Sequence, residues 1–177
     1  MFTNKKYSLR HLKTDDTDFI KKSIEQRCSM FLLSGFLELS GSEIENIFLS
    51  EEHNNECFYA IENQDKKPIA IFSLINLGLK SKIIFLKIAF TGKEVNKKPD
   101  SDVKCSLLKD ICCYLFAEED VFKIIIQVLK SEGPLTKILE MAGFAEEVKL
   151  REGFFNFGHY EDLLIFSLFN KKKGKKC

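Results

Sequence analysis

The sequence predicts an α/β (α+β) fold: a mixed, mostly antiparallel central sheet of about seven strands with helices on both faces. Three observations carry that reading. A short strand and two amphipathic helices open the chain, three β-rich runs with short connections follow, and the rest alternates helix, strand, helix before a closing hairpin. Short connections between β-rich runs imply an antiparallel meander. A meander followed by β-α-β-α and a hairpin implies a mixed sheet covered by helices.

Tyr7 to Leu12 reads as the first strand, and Asp15, Asp16 and Asp18 place carboxylates where a helix start favours them. Ile20, Ile24, Cys28 and Phe31 then recur at helical spacing. Ser40 with Glu43 matches a capping box, and Ile44, Ile47 and Phe48 form the apolar stripe of a second helix. The meander strands are Cys57 to Glu62, Ile69 to Leu77 and Lys82 to Phe90, parted by Asn63 to Lys66 and by the turn around Gly78. After a polar loop from Thr91 to Asp102, Leu107, Leu108, Ile111, Leu115 and Phe116 mark one face of a helix. Phe122 to Leu129 is nearly continuous in β-branched and apolar residues, as a buried strand would be. Pro134 suits the first turn of a helix that Gly143 stops, with Leu135, Ile138, Leu139 and Ala142 as its stripe. Glu147 to Phe157 and Asp162 to Phe169 close the fold, joined through Gly158, His159 and Tyr160. The order is β-α-α-β-β-β-α-β-α-β-β.

The bulk properties bound the partners. A chain of 177 residues is expected to form a single domain over residues 1–170, with a basic disordered tail at 171–177. Its 27 Lys and Arg against 26 Asp and Glu leave a net charge of +1. No general field then draws it to nucleic acid or anionic lipid, and a nucleic-acid partner is disfavoured. The apolar runs fall well short of the roughly 20 residues that span a bilayer, so no membrane partner is expected. Met1 to Lys6 lacks the apolar core and cleavage site of a signal peptide, which makes cytoplasmic the expected location. The six cysteines include no C-x-x-C pair, and no metal spacing exists. Cys28, Cys57, Cys112 and Cys113 read as small hydrophobes in apolar stretches. The 17 phenylalanines, with Phe154, Phe155 and Phe157 nearly consecutive, favour core packing over an exposed contact.

Val128 to Pro134 followed by Ile138 to Phe144 carries a family likeness. Gly143-Phe144, Val148 to Gly153 and Asn156 to Asp162 extend it, and Leu9 to Leu12 with Asp15-Asp16 match at the other end. In these stretches the chain resembles the GNAT superfamily of N-acetyltransferases, and within it the ribosomal-protein N-terminal acetyltransferase group. The resemblance implies an acyl-CoA-dependent N-acyltransferase that moves an acetyl group from acetyl-CoA to a primary amine. The acceptor would be a peptide N-terminus or a small molecule, attacking directly; a homodimer is compatible with it. It also implies that the fourth and fifth strands splay apart, so that a pantetheine arm pairs like an added strand along Ile88, Ala89, Phe90 and Thr91. The following helix would offer free N–H groups to the pyrophosphate at Val103, Lys104, Cys105 and Ser106.

The chain departs from that family at two places. Where the resemblance implies glycines in the phosphate loop, the window Asp100 to Ser106 carries Asp100 and Asp102. A carboxylate ~5 Å from a phosphate would cost about 3 kcal/mol at an effective dielectric of ~20. The tyrosine that protonates the departing thiolate in many GNAT enzymes falls at Leu139, and the turn asparagine at Glu132. Candidate catalytic residues are Glu132 as a base, with His159 and Tyr160 at the hairpin that borders the acceptor side in this fold. Each has a bland counterpart: a carboxylate near a helix start, and residues of a turn. The alternative to an enzyme is a degenerate, catalytically impaired GNAT-like scaffold acting as a binding or structural module.

Overall fold

The computed structural model describes residues 3–4, 7–25, 56–76, 82–90, 98–118 and 120–171. The expected second helix at Ser40 to Phe48, Thr91 and most of the basic tail lie outside these residues. The described elements are β1 (Thr3–Asn4), β2 (Tyr7–His11), a 3-10 turn (Thr14–Asp16), α1 (Thr17–Glu25), β3 (Glu56–Glu62), β4 (Pro68–Asn76) and β5 (Ile83–Phe90). They continue with α2 (Lys98–Glu118), β6 (Lys123–Leu129), α3 (Gly133–Ala142), β7 (Ala145–Asn156) and β8 (His159–Phe169). The strands follow the order β1-β2-β3-β4-β5-β6-β8-β7. The expected mixed, mostly antiparallel sheet is therefore present, with the two-residue β1 as an addition at its edge.

The chain groups into two compact units, Met1–Ile75 with Lys87–Lys93, and Asn76–Leu86 with Glu94–Cys177. In the first, β2 pairs antiparallel with β3 (Leu9 opposite Ile61) and β3 with β4 (Ala60 opposite Ile71). Asn63 builds the β3–β4 turn, its Oδ1 accepting from the N–H groups of Asp65 and Lys67 at 3.0 Å. This is the local bonding that makes Asn a turn residue. Consecutive residues of β4, Ala70 to Ser73, are all buried, so both of its faces are covered.

In the second unit, the Ile83 to Phe85 stretch of β5 runs parallel to β6, and β8 lies antiparallel between β6 and β7. Of the predicted α2 stripe, Leu107, Leu108, Ile111 and Leu115 are buried, joined by Cys112, while Phe116 is half-buried; of the α3 stripe, Ile138, Leu139 and Ala142 are buried and Leu135 is half-buried. Gly143 ends α3 at φ 97°, the left-handed conformation that spares only glycine a Cβ penalty; its N–H donates to Glu140 O and that of Phe144 to Leu139 O. Burial also pushes the Cys112 thiol well above the ordinary range, so it behaves as a hydrophobe, whereas Cys57 and Cys113 are exposed.

The closing hairpin differs from expectation. Its bend is Phe157-Gly158, both at positive φ (44° and 90°), so His159 and Tyr160 are the first two residues of β8. A two-residue loop of this kind matches the twist of its strands, and it supersedes the longer Gly158-His159-Tyr160 connection. The cluster Phe154, Phe155 and Phe157 is not core: Phe155 and Phe157 are exposed. The register of β7 against β8 shifts between Leu150 and Phe154, and a Cβ on Gly153 would stand 2.8 Å from Leu150 Cβ. Glycine is what lets this irregularity close.

Candidate active site

The parallel register of β5 and β6 runs from Ile83 opposite Lys123 to Phe85 opposite Ile125, and β6 continues to Leu129, paired there with Leu163 of β8.

At that end β6 passes into the turn Lys130-Ser131-Glu132, and two carboxylates of β8 hold this turn. Asp162 Oδ2 faces Lys149 Nζ at 2.9 Å and Lys130 Nζ at 3.4 Å, and Oδ1 accepts from Glu152 N–H at 3.1 Å. Lys149 first, then the Glu152 N–H, holds the Asp162 carboxyl down to about 2. Its contribution to stability is accordingly full above the ordinary carboxylate value of 3.8 and is lost as pH falls toward about 2. Asp162→Asn is expected to flatten the acid limb of thermal stability across that window, measured as unfolding temperature against pH.

Glu161 is the second carboxylate. Its Oε1 accepts from Asn156 Nδ2 at 2.6 Å and lies 3.2 Å from His159 Nε2. Ser131, from the β6–α3 turn, is the largest influence holding the Glu161 carboxyl below the usual range. Glu161 Oε2 is buried and accepts no hydrogen bond among the described residues. Asn156 is itself buried. Of the catalytic candidates, His159 and Tyr160 thus stand on β8 beside this cluster, with Tyr160 edge-on to Phe155 at 5.1 Å. Glu132 is half-buried at the N-cap of α3, where its side chain makes no cap bond. Asn156 and Glu161 were not singled out by sequence reasoning; the signal available was a polar residue on each strand of a hairpin, flanking the histidine.

The co-substrate residues fare differently. Ile88, Ala89 and Phe90 are the buried end of β5. Val103, Lys104, Cys105 and Ser106 do not begin a helix: α2 starts at Lys98, so these four lie past its first turn, where N–H groups bond within the helix. This corrects the expected phosphate loop at Asp100 to Ser106. The first turn begins at Lys98, and Pro99 in it has no N–H to offer. Lys104 and Cys105 are buried, Val103 and Ser106 exposed. Val103 to Ser106 therefore do not offer the free helix-start N–H groups that the resemblance implies for the phosphates. Leu139 is fully buried in α3. Among the described residues no group of three His, Cys, Asp or Glu could hold a metal ion, and no helix is long and apolar enough to cross a membrane.

Solved structures similar to the chain include spermidine N-acetyltransferases of Vibrio cholerae. The enzyme in complex with CoA and spermine matches with a TM-score of 0.74 at 24% identity, covering 94% of this chain and 96% of that one. A single-residue mutant matches at 0.75 and 22% identity over 96% of each chain, and a chimera with hSSAT at 0.73 and 23% over 94% and 96%. The chain thus has the GNAT fold. No family model matches the sequence. No curated protein matches it either.

Proposed function

We propose that the protein is an acetyl-CoA-dependent N-acetyltransferase acting on a primary amine of a small molecule. The observation that carries this is the polar cluster at the end of β6, where Glu161 and Asp162 of β8 hold the turn into α3 beside His159. The fold it shares with spermidine acetyltransferases, one of them bound to CoA and spermine, supports both the donor and the acceptor class. A peptide N-terminus is the second acceptor class.

In this reading Ile88, Ala89, Phe90 and Thr91 receive the pantetheine arm, and donors at the start of α2 serve the phosphates. When bound, acetyl-CoA supplies the activated carbonyl. The amine nitrogen bonds to that carbon, the C–S bond breaks, and the sulfur leaves as a thiolate while a base on the chain takes the amine proton. Glu132, His159 and Tyr160 are the groups to weigh as that base. A thiolate is a good leaving group, so the absence of an acid at Leu139 is compatible with turnover.

Acetyl-CoA at a hundred times its Kd should add about 2.7 kcal/mol. For a chain of this size that is roughly 5–10 °C in Tm. Thiol release with spermidine, n-butylamine or a short peptide with a free N-terminus should then identify the acceptor class. A chain whose Tm is unmoved by millimolar acetyl-CoA is not this enzyme. That result would favour the second reading, a scaffold that has lost the chemistry, which the helical Val103 to Ser106 and the buried Leu139 support.

A further inference from the structure

The three candidate bases differ in what surrounds them. Tyr160 is 63% exposed and meets an aromatic ring, and Glu132 sits at a helix start. His159 is coupled to a carboxylate that is itself locked. Glu161 has a side chain only 12% exposed, while the His159 ring is 60% exposed, so one end of the pair is fixed and the other open to solvent. Asn156 Nδ2 donates to Glu161 Oε1 at 2.6 Å, and Asn156 stands directly opposite His159 in the β7–β8 register.

An ionised carboxylate only accepts hydrogen bonds. His159 must then present Nε2–H to Glu161 Oε1 across their 3.2 Å, which leaves the lone pair on Nδ1. We propose that Glu161 is a positioning residue that fixes His159 in the Nε2–H tautomer, so that His159 Nδ1 takes the proton from the acceptor amine. The proposal rests on the acetyltransferase reading and selects its base. As the nitrogen bonds to the carbonyl carbon and the C–S pair departs with sulfur, the amine proton passes to Nδ1, and Glu161 balances the imidazolium. Glu161 shares a strand with His159; β7 contributes the uncharged Asn156; the β6–α3 turn contributes Ser131 and Glu132; Asp162 with Lys130 and Lys149 is the next charged group along β8.

The test uses the full chain with two readouts. Nitrogen-detected NMR of histidine-labelled protein, with the His159 signal assigned by its loss in His159→Asn, should show the Nε2–H tautomer. That preference should be lost in Glu161→Ala. In steady-state turnover with the fastest of the three amines named above, His159→Asn should lower kcat about 100-fold or more. It should leave the KM for acetyl-CoA unchanged and remove the acid limb of kcat/KM. Added imidazole should restore part of the rate of His159→Ala, and Glu161→Ala should lose about tenfold in kcat. Unchanged kcat in His159→Asn, or an Nδ1–H tautomer in the wild type, overturns this proposal and leaves the acetyltransferase standing. A wild type that turns over none of the three amines overturns both, and an unmoved Tm with acetyl-CoA then traces the failure to the fold's use rather than to the base.

Discussion

Replacing Arg10 with methionine is expected to destabilise the first unit by about 3–5 kcal/mol, read as a drop in the midpoint of denaturant unfolding. Arg10 grips Asp16 with two nitrogens, Nη1 at 2.6 Å and Nη2 at 2.7 Å, and its Nε lies 2.5 Å from Glu62 Oε1. Both carboxylates are buried. The methionine keeps most of the aliphatic volume, so the loss comes from stranding two charges out of water rather than from a cavity. Arg10→Lys would not rescue it, because an ammonium cannot reproduce the planar fork. The pH dependence has a definite sign. Burial pushes the Asp16 carboxyl up, but the Arg10 bonds and the Lys13 N–H outweigh it, so the net shift is below 3.8. Stability from this group is full above that value and is lost as pH falls below it. The wild type should therefore lose stability in acid more steeply than the Arg10 variant, a comparison that separates the ion pairs from simple packing.

Much of the fold was legible because periodicity and punctuation agree. The α3 stripe at Leu135, Ile138, Leu139 and Ala142 with Gly143 behind it leaves one reading, and the structure keeps Ile138, Leu139 and Ala142 buried. The Asn63 turn is equally local, being made by one side chain and two N–H groups. The errors arose where the deciding contact is distant or the local signal is atypical. The apolar stripe of α2 begins only at Leu107, and the first turns, Lys98 to Asp102, carry no stripe, so the sequence points to a start near Val103 where the helix in fact begins at Lys98. Phe157 at positive φ is a conformation that phenylalanine rarely adopts, so a two-residue bend was not apparent at that position. Strong apolarity at Phe155 and Phe157 suggests burial, but among the described residues β7 pairs only with β8, and its residues lie largely exposed. At the site, Asp162 and Glu161 acquire their roles from Lys149, Lys130, Asn156 and Ser131, residues 5 to 32 positions away, and spacing does not reveal such pairings.

Leu139→Ala is expected to cost about 2–5 kcal/mol of stability, a loss measurable by chemical denaturation. The GNAT resemblance puts a proton-donating tyrosine at this position, and the structure gives it to the core: Leu139 is 0% exposed, on the buried stripe with Ile138 and Ala142. Its carbonyl also accepts the Phe144 N–H at 3.0 Å, so the residue sits where α3 is capped and turned back toward β7. Truncation would leave a cavity under that turn. Leu139→Tyr is the more telling variant. The larger ring in a filled site costs about 1–3 kcal/mol. A hydroxyl buried without a partner adds about 1–3 kcal/mol. If the position had merely lost a catalytic tyrosine, restoring it would raise turnover at little structural cost. The packing instead predicts a destabilised protein whose kcat, measured well below its unfolding temperature, does not rise. On that outcome the thiolate takes its proton from solvent or from a group other than residue 139, and the burden of proton handling falls on the His159 side of the site.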